Sequence, residues 1–63
     1  MIELTLPDMT CGHCAGMVSR TCALVDPNAK VVVDVPARRV AITSREDRED
    51  FVQALAEAGY PPA

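Results

Sequence analysis

The chain has no tryptophan, one phenylalanine and one tyrosine, so its core must be built from Val, Leu, Ile, Ala and Met. With aromatics at 3% it offers no platform on which nucleobases could stack. Basic residues are scarce too. Six Lys and Arg against nine Asp and Glu leave a net charge of −3, which argues against nucleic acid or an anionic membrane as partner, since both reward a basic patch. No run approaches the ~18 apolar residues of a membrane span. The opening Met-Ile-Glu-Leu-Thr-Leu-Pro lacks the basic start and apolar stretch of a secretory signal. These absences point to a soluble, cytosolic protein. At 63 residues the chain is read as a single domain, residues 1–63, burying roughly 60% of its unfolded surface, enough for one core and too little for a deep substrate cleft. An enzyme that needs paired carboxylates in a cleft is therefore not expected.

What the chain does carry is Met9-Thr10-Cys11-Gly12-His13-Cys14, two cysteines three positions apart between a strand-like and a helix-like run. A helix starting near Gly12 has unpartnered N–H groups and a partial positive charge at that end, which favours thiolate over thiol. Thiolate both binds soft metals and attacks disulfides, so geometry leaves soft-metal binding and thiol–disulfide exchange open. Three cysteines without a signal sequence are better read as metal ligands or redox thiols than as structural disulfides. A thioredoxin-like oxidoreductase would need a longer chain. Two thiolates can hold Cu(I) at low coordination number with one side open, whereas a structural zinc site wants four ligands, and only His13 stands beside Cys11 and Cys14.

Taken in order, Ile2 to Leu6 alternates as a half-buried strand does, and Pro7 helps end it. Gly12 to Val25 fits a helix with Cys14, Val18, Cys22 and Val25 on one stripe, widened by Met17, Thr21 and Leu24. Cys22, on that stripe, is read as a core thiol rather than a ligand. Asp26-Pro27-Asn28 stops the helix. Period two returns over Ala29 to Val35 and Arg38 to Thr43, with Pro36-Ala37 as the hairpin turn. Ser44 is the expected N-cap of a second helix whose inward stripe is Arg48, Phe51, Val52, Leu55 and Ala58, closed by Gly59 at C′. Tyr60 to Ala63 leaves room only for a very short last strand. The predicted class is α+β, a ferredoxin-like βαββαβ sandwich with an antiparallel sheet and both helices on one face.

At this point the chain resembles the heavy-metal-associated domain family. Met9-Thr10-Cys11-Gly12-His13-Cys14 looks like its Met-Thr-Cys-x-x-Cys motif, and Ala58-Gly59-Tyr60 resembles the tail motif of its bacterial copper-chaperone branch. The resemblance implies a cytosolic Cu(I) chaperone serving the metal-binding domain of a copper-transporting P-type ATPase. By the same resemblance Cys11 and Cys14 would be the Cu(I) ligands, Met9 the buried residue beneath the loop, and Tyr60 a neighbour of the site. His13 matches a position where bacterial members often carry histidine; it is read either as a polar residue tuning the thiolates or as a third ligand or bridge in a metal-linked dimer. The chain departs from the family at Asp8, where glycine is usual, and in the shortness of its last strand. Ag(I), Hg(II) or Zn(II) are alternative cargoes. Thr10 speaks against zinc, because zinc-exporter members tend to carry an acidic residue there. The carboxylates Glu46, Asp47, Glu49, Asp50 and Glu57 form either a solvated face or a docking surface for a basic partner.

Overall fold

Alternation of apolar and polar residues produces three short strands, and two 3.6-period stretches produce two helices. The computed structural model describes residues 1–63 and runs β1 (Ile2–Thr5), α1 (Gly12–Val25), β2 (Lys30–Asp34), β3 (Arg39–Thr43) and α2 (Arg48–Glu57). The sheet is antiparallel in the order β1-β3-β2. Register aligns Leu4 with Val40 and Val33 with Val40, Ile2 with Ile42 and Val31 with Ile42, so one face carries the apolar set. Val18 and Cys22 of α1 and Phe51 and Leu55 of α2 are buried with Leu4, Val40 and Ile42 in one core. Both helices therefore lie on the same face of the sheet. Val32, on the other face, stays 64% exposed.

Several expectations are corrected. Met17 and Leu24 do not widen the buried stripe of α1: they are 40% and 80% exposed, because the sheet and α2 cover only the side centred on Val18 and Cys22. Ser44 does not cap α2. Its hydroxyl donates to Asp26 Oδ2 at 2.5 Å and accepts from the Glu46 N–H at 3.0 Å, which tethers the β3–α2 loop to the end of α1. The N-cap is Asp47, in extended conformation and without a side-chain capping bond. Arg48 and Ala58 are exposed rather than inward, since a ten-residue helix starting at Arg48 turns only Phe51 and Leu55 fully into the core. Arg38 lies outside β3 with φ 55, a left-handed conformation rare for a non-glycine residue. Its N–H donates to the Val35 carbonyl at 3.0 Å and closes the turn at Pro36-Ala37.

The expected last strand is reduced to one ladder-like contact, Ala63 N–H to the Thr5 carbonyl at 2.8 Å on the outer edge of β1. Pro61 and Pro62 supply no backbone donors, so nothing longer can pair there. Gly59 behaves as expected. At φ 96 it lets its own N–H reach the Ala56 carbonyl (3.2 Å) and the Tyr60 N–H reach the Leu55 carbonyl (2.8 Å), the double bond of a Schellman motif. That closure turns Tyr60 back against the core.

Candidate metal site

The loop after β1 is held from both sides. Leu6 N–H donates to the Arg38 carbonyl at 2.7 Å and Met9 N–H to the Leu6 carbonyl at 3.0 Å. Met9 is wholly buried among the core residues, so its thioether fills space beneath the loop and is out of reach of solvent. Cys11 follows as the N-cap of α1, extended at φ −152 and ψ 171, with its carbonyl accepting from Ala15 N–H at 3.1 Å. Cys14 lies one turn in, half-buried against the core edge.

The two sulfurs stand 3.4 Å apart, and both cysteines are free thiols. The Cys14 pKa is lowered to about 7, first by a hydrogen bond from the Tyr60 hydroxyl, then by backbone donation at Thr10 and by the Cys11 side chain. The same contact pushes the Tyr60 hydroxyl upward, since its proton is shared with a sulfur that ionises first. Cys14 therefore ionises more readily than an ordinary thiol. Cys22 behaves oppositely: burial without a polar partner raises it to about 11, which keeps it a neutral core thiol.

No group of three His, Cys, Asp or Glu side chains converges to hold a metal ion. His13 is exposed on the first turn of α1 and does not complete a triad with the sulfurs. The arrangement is thus a pair of neighbouring sulfurs, with Cys11 exposed to solvent. Tyr60 joins it only through the turn at Gly59. The backbone groups of Thr10 and Cys11 also contribute, and no side-chain signal in the sequence announces them. The single surface depression, lined by Asp26, Asn28, Thr43, Ser44, Arg45 and Glu46, lies at the far end of α1, roughly 21 Å away for 14 residues at 1.5 Å each.

The heavy-metal-associated domain family matches over residues 3–61. This chain belongs to the heavy-metal-associated domain family. Among solved structures it is similar to the copper chaperone Atx1 from Synechocystis PCC6803, at 36% identity over all of both chains and a TM-score of 0.96. It is equally close in shape to a gold binding protein, at 37% identity over 98% of this chain and 95% of the other, with a TM-score of 0.96. A cyanobacterial copper metallochaperone matches at 35% identity, covering 98% and 97%, with a TM-score of 0.80. Among curated proteins none is significantly similar. The heavy-metal-associated fold and its likeness to Atx1 support a metal-chaperone role for the chain. No helix of this domain is long and apolar enough to cross a membrane.

Proposed function

We propose that this domain is a Cu(I) carrier of the cytoplasm that binds one ion between Cys11 Sγ and Cys14 Sγ and passes it to the metal-binding domain of a copper-transporting P-type ATPase. The observation that carries the reading is the sulfur pair itself: 3.4 Å apart, at an exposed helix N-terminus, with one thiol already acidic and no third metal-ligating group converging. A soft, closed-shell ion is satisfied by two thiolates, and the open side admits a third. Transfer proceeds by ligand exchange without redox change. A partner thiolate forms a new S–Cu bond, one Cys–Cu bond breaks, and the departing sulfur regains a proton from solvent. It is a binding and transfer module rather than an enzyme. The gold binding relative supports a second reading in which the same pair carries another soft ion, including Ag(I), Hg(II) or Zn(II).

Anaerobic competition of the reduced protein with a Cu(I) chelator tests this. Binding at one copper per monomer, abolished by Cys11→Ser or Cys14→Ser and spared by Cys22→Ala, is the expected result. Copper binding that survives loss of both motif cysteines would overturn it. Dithiol turnover by the metal-free protein would instead favour a thiol–disulfide oxidoreductase. Parallel titrations with Ag(I), Hg(II) and Zn(II) decide the cargo.

A further inference from the structure

A second pair of soft donors stands beside the cysteines. Met17 is 40% exposed, although a methionine on an amphipathic helix ordinarily turns inward. His13, also exposed, precedes it by one turn of α1. Residues at i and i+4 bring their Cβ atoms to about 5–6 Å, so a thioether and an imidazole can converge on one ion from the same helix edge. Cys14 lies between them in sequence, and Gly12 and Gly16 leave the neighbouring helix surface bare, with nothing within 4 Å of where a Cβ would stand. The first turn of α1 carries no carboxylate, so the donor set suits no hard cation.

We propose that His13 and Met17 form an auxiliary, labile site for a second soft monovalent cation, Cu(I) or Ag(I). The proposal rests on the reading of Cys11 and Cys14 as the first soft-metal site. Neither donor has to lose a proton to bind when the imidazole is neutral, so the ion is held without the charge neutralisation that makes thiolate binding tight. The helix N-terminus and Arg20 disfavour a lone cation here. Two thiolates around one monovalent ion leave a net charge of −1, however, and that anion attracts the second ion. The cysteine pair therefore fills first.

The test is titration of the reduced full chain with Ag(I), reading free thiol content and the NMR signals of the methionine ε-methyl groups and the His13 imidazole. The first equivalent is expected to consume the motif thiols and leave the Met17 methyl in place. The second shifts Met17 and His13 together. Met1, 89% exposed and without a histidine one turn away, is the internal control for adventitious thioether binding, and Met9 is buried. Met17→Leu keeps the shape, retains the first equivalent and loses the second; His13→Gln weakens the second alone. Parallel shifts of Met1 and Met17, no shift after the thiols are filled, or a second equivalent retained by Met17→Leu would each overturn the auxiliary site. A first equivalent that leaves the thiols free would overturn the carrier reading, and with it the anionic attraction this site needs.

Discussion

At the residue scale the neighbour that lowers the Cys14 pKa most is Tyr60. A hydroxyl that donates to sulfur stabilises the thiolate, so removing it raises the thiol pKa. In Tyr60→Phe the pH midpoint of Cys14 alkylation is expected to move up from about 7 toward the ordinary thiol value of 9.0. An unchanged midpoint would remove Tyr60 from the site. Copper retention should weaken in that variant near neutral pH, because more protons then compete with the metal for sulfur. The same shift links to folding. Cys14 is depressed in the folded state, so its contribution is present above pH 9, falls between 9 and 7, and is gone below 7. Cys22 is raised to about 11, so its contribution is full below pH 9 and is lost as the pH climbs through 11. The two thiols therefore favour the metal-free fold most strongly near pH 9.

At the element scale the helix ends differ in how they are held, and the difference is measurable. The start of α2 relies on no side-chain cap, so Asp47→Ala should change stability by only about 0.5 kcal/mol or less. Ser44→Ala should lower the urea midpoint more, since it releases Asp26 and the Glu46 N–H together. Asp26 is held below its usual carboxylate value, first by Ser44 and then by the Asn28 N–H and Arg45. Its contribution is present above about pH 4 and lost as the pH falls through the lowered value, so the wild-type advantage over Ser44→Ala should shrink in acid. At the other end of α2, Gly59→Ala forces a side chain into φ 96 and is expected to cost about 1 kcal/mol. It should also raise the Cys14 pKa, because the turn that Gly59 closes is what brings Tyr60 to the sulfur. A stability loss without that pKa change would separate the turn from the site.

At the scale of the whole molecule, 63 residues give a stability of about 3–9 kcal/mol at about 0.05–0.15 kcal/mol per residue. A single core truncation is then a large fraction of the total. Met9→Ala, at a fully buried position under the loop, is expected to cost about 2–5 kcal/mol and to leave the loop above it unsupported. Met9→Leu conserves volume and should cost below about 1.5 kcal/mol while keeping copper binding at one ion per monomer. Loss of copper binding in a well-folded Met9→Leu protein would make the thioether a ligand after all. Urea unfolding and the chelator competition together separate these outcomes.

Much of this was written in local sequence. The span of α1 from Gly12 to Val25 follows from the periodicity of Cys14, Val18, Cys22 and Val25, and the hairpin follows from alternating valines around Pro36-Ala37, because both patterns depend only on neighbours a few residues apart. The cysteine pair at the helix start is equally local, since its spacing and the helix boundary together bring the sulfurs to 3.4 Å. Tertiary structure decided the rest. Which side of α1 is covered depends on where the sheet and α2 lie, and that left Met17 and Leu24 in solvent. Ser44 lies three residues before Asp47, the N-cap of α2, and its hydroxyl donates to Asp26, 18 residues distant in the chain, while accepting from the Glu46 N–H, so it ties the loop to the end of α1 rather than capping the helix. Tyr60 reached Cys14 across 46 residues only because Gly59 closed α2 against the core and turned the chain toward the sulfurs. Local spacing fixes which elements form and which side chains lie one turn apart. Contacts between residues far apart in the chain exist only once the core has brought the elements together.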